Sequence, residues 1–198
     1  IAHGSTGAGN DQVRFDAAFR VLAPGATVLT PIRRQAISRR DETAWLAERG
    51  INVPEKTSRY SINRGLWGAT IGGVETHRSD GVLPEEAYLL TASPDRRPAE
   101  AECVQIDFDR GVPVRLNGEP LAPVALIEQL ASAAARHGVG RGMHVGDTIL
   151  GIKGRVAFEA PAAVTLIAAH RELEKLVLSR QQLFWKATLG DLYGAMLH

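Results

Sequence analysis

Gly4-Ser5-Thr6-Gly7-Ala8-Gly9 is a run of small residues placed between the apolar start Ile1-Ala2-His3 and the polar pair Asn10-Asp11. A strand that turns through such a run into a helix presents backbone N–H groups and the positive end of the helix to an anion. Phosphate or carboxylate would suit it. The run fits neither the GxGxxG nor the Walker pattern, and a plain tight turn has the same composition. The following turn adds chemistry. Asn10, Asp11 and Arg14 stand at i, i+1 and i+4, which brings an amide, a carboxylate and a guanidinium to the mouth of the loop. An amino-acid ligand needs such partners: an anion for its ammonium, and a cation or donors for its carboxylate. A helix cap with a surface ion pair is the structural alternative.

Other chemistry-bearing residues are dispersed. The six histidines, His3, His77, His137, His144, His170 and His198, give no zinc-ligand spacing, with or without Cys103. Cys103 stands beside a strand pattern and reads as a packed core thiol. A single cysteine allows no intramolecular disulfide and fits a reducing, cytoplasmic setting. Phe184 and Trp185 read as packing or interface residues.

The elements that must position the loop follow an alternating order. A helix from Asn10 or Asp11 carries Phe15, Phe19 and Leu22 on one face and ends at Pro24-Gly25. Thr27 to Thr30 reads as a short strand closed by Pro31. Ser38 caps a second helix, with Asp41 and Glu42 in its first turn and Gly50 past its end. Strand–helix alternation indicates a parallel α/β sheet. Near Pro54 the character changes. Residues 55–100 read as an ordered, loop-heavy connection with Tyr60, Leu66, Trp67 and Ile71 available to bury. Val104, Ile106 and Phe108, then Val112, Val114 and Leu116, alternate with polar residues around Asp109-Arg110-Gly111 and predict a β-hairpin. Asn117-Gly118 predicts another turn. Pro123 opens a helix through Leu126, Ile127 and Leu130 to His137-Gly138, residues 143–158 read as strands, and Pro161 opens a helix carrying Leu166, Ile167, His170 and Leu173. Ser179 with Gln182 forms a capping box for a last helix through Leu183, Leu189 and Met196. The expected division is an incomplete α/β unit over residues 1–54 and an α+β region over residues 55–198.

Bulk composition agrees with this. The chain has 198 residues, 44% hydrophobic and 23% charged, which suits one domain or two small ones. Lys and Arg number 23 against 22 Asp and Glu, for a net charge of +1, and with no long basic run the chain offers little electrostatic footprint for nucleic acid. No apolar run approaches the roughly 20 residues that span a bilayer. The opening Ile1-Ala2 reads as the end of a strand whose beginning is missing, and a fragment of a longer protein is expected.

His3-Gly4-Ser5-Thr6-Gly7-Ala8-Gly9-Asn10-Asp11-Gln12-Val13-Arg14-Phe15 resembles the ATP- and aspartate-binding signature of argininosuccinate synthases, His-Gly-x-Thr-Gly-x-Gly-Asn-Asp-x-x-Arg-Phe, at every fixed position. The likeness covers nearly the whole chain. Tyr60-Ser61-Ile62-Asn63-Arg64-Gly65-Leu66-Trp67-Gly68-Ala69-Thr70 resembles the family's citrulline segment. His137 to Arg141, Gly151 to Arg155, and Glu159-Ala160-Pro161 match in order and spacing. The resemblance implies the C-terminal part of a parallel-sheet nucleotide-binding domain of the ATP-pyrophosphatase type, followed by an α+β synthetase domain. It implies ATP contacts from His3, Gly4, Ser5, Thr6, Gly7 and Gly9, and aspartate contacts from Thr6, Asn10 and Asp11. It implies citrulline contacts from Asn10, Arg14, Ser61 and Thr70; without it, Ser61 and Thr70 are turn hydroxyls. ATP with Mg²⁺, citrulline and aspartate are the implied cofactors and partners, in a homotetrameric parent enzyme of arginine biosynthesis. No covalent nucleophile is implied.

Departures from the family pattern are local and terminal. Gly146, followed by Asp147, stands where many members have a citrulline-binding glutamate, and Phe158 stands where they have tyrosine. The family's early Ser-Gly-Gly-x-Asp-Thr-Ser phosphate loop and its C-terminal extension have no counterpart in these residues, so an isolated chain is expected to be inactive or nearly so. Two alternatives stand beside this reading: another ATP pyrophosphatase with a different acceptor such as tRNA, and a non-catalytic remnant that self-associates.

Overall fold

A computed structural model describes residues 1–7, 10–54, 59–147, 151 and 153–197. The chain divides into two compact units, one of Ile1–Ser61, Gly72–Gly81 and Val145–Arg155, the other of Ile62–Ile71, Val82–His144 and Val156–His198.

In the first unit, Ala2 and Leu29 form a parallel bridge, with the Leu29 amide donating to Ile1 and the His3 amide donating to Leu29. The strand expected over Thr27 to Thr30 is thus reduced to one bridge, beside which the Ile1 ammonium donates to the Thr27 carbonyl at 2.8 Å. Helix α1, Asp11–Leu22, follows the glycine run. Phe15 and Phe19 stack at 6.0 Å, but Leu22 is 82% exposed, since the helix stops there and leaves its last residue without a neighbour to cover it. Pro31 does not merely close a strand. It opens a short helix, α2, Pro31–Gln35, where its fixed φ is pre-organised for the first turn. Helix α3, Arg39–Ala47, is capped as expected: the Ser38 hydroxyl accepts from the Asp41 amide, and the Asp41 carboxylate accepts from the Ser38 amide.

The segment expected to be a loop contains two strands, β1, Ser61–Gly65, and β2, Gly68–Gly72. They belong to a four-stranded sheet of order β1-β2-β7-β6, in which β6 is Arg141–Asp147 and β7 is Lys153–Glu159. Strands β2 and β7 run antiparallel, with Ala69 opposite Glu159, Thr70 opposite Phe158 and Ile71 opposite Ala157. Ile71 of β2 is buried, as is Tyr60 before β1, whereas Leu66 and Trp67 lie at the β1–β2 turn and remain 43% and 52% exposed.

Strands β3, Ile106–Asp109, β4, Val112–Leu116, and β5, Glu119–Pro120, form an antiparallel meander in the second unit. Both of its turns place two consecutive residues at positive φ, Arg110-Gly111 and Asn117-Gly118, the backbone that matches the twist of a tight hairpin. Helix α4, Pro123–Arg136, lays Leu126, Ile127 and Leu130 against Leu116 and against Ala162 of helix α5, Pro161–Val177. Burial of such side chains contributes about 1.5–3 kcal/mol each. Cys103 is exposed, contrary to the expectation of a core thiol: Val104 and Ile106 pack on this core, and the period of two turns their neighbour outward.

Helix α6, Arg180–Leu197, starts at the expected Ser179–Gln182 box. It has no buried residue among those described, and Phe184, Trp185, Leu189 and Met196 are all more than half exposed. Its Lys186 reaches Glu174 of α5, a carboxylate shared with His170 and held below its usual range chiefly by that lysine. Among the described residues no helix is long and apolar enough to cross a membrane.

Candidate functional site

The glycine loop is built from behind by His3 of the motif together with side chains that the motif does not single out. The His3 ring packs edge-on to Phe15 at 5.4 Å and lies 6.2 Å from Phe19. Its Nδ1 accepts from the Ser5 amide, which puts the ring proton on Nε2, 3.7 Å from Asp16. Asp16 is in turn gripped by two nitrogens of Arg33 at 2.7 and 3.3 Å. That hydrogen-bonded guanidinium holds the Asp16 carboxyl below the usual range. Gln12, 4% exposed, donates to the Gly7 carbonyl at 3.1 Å. A sequence pattern passes over Gln12 because it fills a variable position, and over Asp16–Arg33 because the pair spans two helices.

At the front of the loop, Thr6 and Gly7 are exposed and Ser5 is half-buried. Neither Gly4 nor Gly7 has positive φ. An added Cβ at Gly4 would make an ordinary 3.8 Å contact with Ile32, and at Gly7 it would meet nothing. The fold itself therefore does not demand glycine at either position. Gly9 lies outside the described residues.

Asn10 takes the cap position of α1, but its side chain makes no capping hydrogen bond; its backbone is already at helical φ and ψ, −86° and −23°. Asp11 and Arg14 form a loose pair at 3.9 Å, with side chains 76% and 53% exposed. An exposed pair at that distance contributes little to stability. Asn10, Asp11 and Arg14 thus share one end of α1 beside the loop, as the spacing requires.

Ser61 belongs to the first unit and Thr70 to the second. Ser61 is exposed at the start of β1, directly after Tyr60. The Tyr60 hydroxyl and Arg59 both donate to Glu75, at 2.8 and 2.9 Å, and hold its carboxyl below the usual range, the tyrosine contributing most. A depressed carboxylate contributes stability above its ordinary value of 4.5, and that contribution is lost as pH falls below it. Tyr60→Phe should therefore lower the thermal midpoint near neutrality, with a gap from the parent that narrows as pH drops to about 3. A gap independent of pH would show that the loss comes from packing instead.

Thr70 sits in β2 opposite Phe158. The Phe158 ring covers Gly142 of β6, where any Cβ would collide with it. Gly146 is half-buried and Asp147 exposed near the end of β6. Among the described residues no three His, Cys, Asp or Glu side chains converge to hold a metal ion.

A Gly-rich loop entering a helix from a parallel bridge can present backbone N–H groups to an anion, in a chain that continues into a region of strands and helices. Residues 1–52 match the family profile described as Arginosuccinate synthase N-terminal HUP domain, and residues 60–198 match the Arginosuccinate synthase C-terminal domain. The chain belongs to the argininosuccinate synthase family. It is 43% identical over 198 residues to the argininosuccinate synthase of Methanocaldococcus jannaschii, a match covering all of this chain and 50% of the relative. It is 42% identical over 199 residues to that of Rubrobacter xylanophilus, again over all of this chain and 49% of the relative. With that of Microcystis aeruginosa it shares 43% identity over 201 residues, all of this chain and 50% of the relative. The chain spans about half the length of the curated relatives it matches.

Proposed function

We propose that the protein is an argininosuccinate synthase, joining citrulline and aspartate at the cost of ATP cleavage to AMP and pyrophosphate, in arginine biosynthesis. The observation that carries this reading is the loop and first turn of α1. Gly4 and Gly7 have no conformational or packing reason to be glycine, whereas a ligand resting on the backbone gives them one. Beside them stand Asn10, Asp11 and Arg14, the polar set that an amino acid requires.

In this reading the ureido oxygen of citrulline attacks the α-phosphorus of ATP and pyrophosphate leaves. The aspartate amine then attacks the ureido carbon, and AMP departs with the oxygen. A ureido carbon is a poor electrophile until its oxygen becomes a good leaving group. What the protein supplies is positioning and charge neutralisation. His3, Gly4, Ser5, Thr6, Gly7 and Gly9 form the ATP segment, His3 through its backbone because its ring is packed behind the loop. Thr6, Asn10 and Asp11 take aspartate, and Asn10, Arg14, Ser61 and Thr70 take citrulline. Mg²⁺ would accompany the ATP phosphates, since no three His, Cys, Asp or Glu side chains converge on a metal site among the described residues. A domain division at 54/55, a homotetrameric assembly and a cytoplasmic location complete the proposal.

Arg14 tests the citrulline assignment. Its guanidinium is half exposed and only loosely paired, so it is available for two parallel hydrogen bonds to a carboxylate, which lysine cannot copy. In the full-length protein, Arg14→Lys should raise the citrulline KM by about tenfold or more and leave the ATP KM within about twofold. Equal changes for all three substrates would give Arg14 a structural role.

A further inference from the structure

The Glu159 side chain is fully buried at the end of β7, and among the described residues no amino or guanidinium group pairs with it. Its carboxylate oxygens accept from three consecutive backbone amides, Leu89 at 2.7 Å, Leu90 at 3.1 Å and Thr91 at 2.9 Å, and from the Thr91 hydroxyl at 2.5 Å. The same hydroxyl accepts from Arg141 Nε at 2.5 Å. Thr91 therefore links the buried carboxylate to a guanidinium through one oxygen. The other Arg141 nitrogens bind the Thr91 and Ala92 carbonyls at 3.0 and 3.2 Å and Glu85 at 2.7 Å, and the guanidinium lies 4.0 Å above the Tyr88 ring.

Burying a carboxylate is costly, and well-packed apolar residues usually stabilise a core as well. What a carboxylate offers that an apolar residue cannot is a fixed geometry, with several donors converging on two oxygens. The backbone of residues 89–91 is thereby tied to the last residue of β7. That residue faces Ala69 across the β2–β7 pair, and its carbonyl closes against Gly68. The next pair along is Thr70 with Phe158. A shift of β7 would carry Thr70 with it, because the paired strands slide together.

We infer that Glu159, with Thr91 and Arg141, is a positioning assembly that holds the β2–β7 pair, and hence Thr70, in register for citrulline. The inference rests on the reading of Thr70 as a citrulline contact. Glu159 does not touch substrate in this scheme; it acts through Thr70.

The experiment compares four variants of the full-length protein by steady-state kinetics with each substrate varied in turn. Glu159→Gln keeps the shape but turns a donor toward backbone donors. Thr91→Val removes only the linking hydroxyl, and Thr91→Ser keeps it. Thr70→Val tests the underlying reading. Glu159→Gln and Thr91→Val should each raise the citrulline KM by about tenfold, with the ATP and aspartate KM values within about twofold, and Thr91→Ser should stay near the parent. If Glu159→Gln does not fold, the Thr91 pair decides the matter alone. Parallel changes in all three KM values, or less folded protein with unchanged constants, would make the assembly purely structural and overturn the inference. If Thr70→Val raises the citrulline KM while Thr91→Val does not, the inference alone fails. If Thr70→Val has no effect, the Thr70 reading fails and the inference falls with it.

Discussion

In the full-length protein, on the proposed assignment, Asp11→Asn should weaken aspartate binding by about ten- to a hundredfold, from the loss of one charged hydrogen bond at roughly 1.5–3 kcal/mol, while citrulline adenylation continues. The substitution preserves shape and removes charge. Little stability is at stake, because the side chain is 76% exposed and its ion pair with Arg14 is loose. A carboxylate beside the proposed ATP loop repels phosphate but suits an ammonium group. In the proposed reaction adenylation precedes the use of the aspartate amine, so the two half-reactions would separate cleanly. Citrulline-dependent exchange of labelled pyrophosphate into ATP follows the first, and argininosuccinate formation follows both. Exchange should survive and condensation should fall. Collapse of exchange with a normal aspartate KM would transfer Asp11 to the nucleotide side and redraw the division of the loop.

The largest effect on stability is expected at Gly68. Its φ is +146°, and a Cβ would run into the Glu159 carbonyl and the Ala160 Cα, backbone atoms that cannot swing aside. Gly68 and Glu159 belong to strands β2 and β7, the pair that also carries Thr70. Gly68→Ala should cost on the order of 3 kcal/mol or more, read as a fall in denaturant midpoint at unchanged slope. Gly118→Ala is the control. Its φ of +82° is unfavourable for alanine, but nothing lies within 4 Å, so only the backbone penalty of about 1–2 kcal/mol applies. Equal losses at the two sites would mean that the sheet relaxes around the added methyl.

The contrast between those glycines also shows what could be read in advance. Asn117-Gly118 and Arg110-Gly111 announce their turns in the sequence, because left-handed backbone favours those residue types. Pro123 and Pro161 announce helix starts for an equally local reason. Strand β1 announces nothing: Ser61-Ile62-Asn63-Arg64-Gly65 has one apolar side chain, and its extended form depends on its neighbours in the sheet. The burial of Glu159 is likewise a tertiary fact, since its partners lie about 70 residues earlier in the chain. At the candidate site, the spacing of Asn10, Asp11 and Arg14 foretold their shared helix end. It could not foretell that His3 would serve as a backing for the loop, because that depends on where Phe15, Phe19 and Asp16 fall around the helix.

The β3–β4–β5 meander and the helix that follows it occupy one continuous stretch, residues 104–136, and Val104, Ile106, Leu116, Leu121, Leu126, Ile127 and Leu130 meet within it. Each contact closes a short loop, so little chain entropy is lost before burial begins to reward it. The Glu159 carboxylate, by contrast, reaches its donors only after a far longer loop has closed. Loop closure thus sets an order of assembly: this stretch can collapse early as a local nucleus, and the strand pairing that places Thr70 has to be completed onto it later.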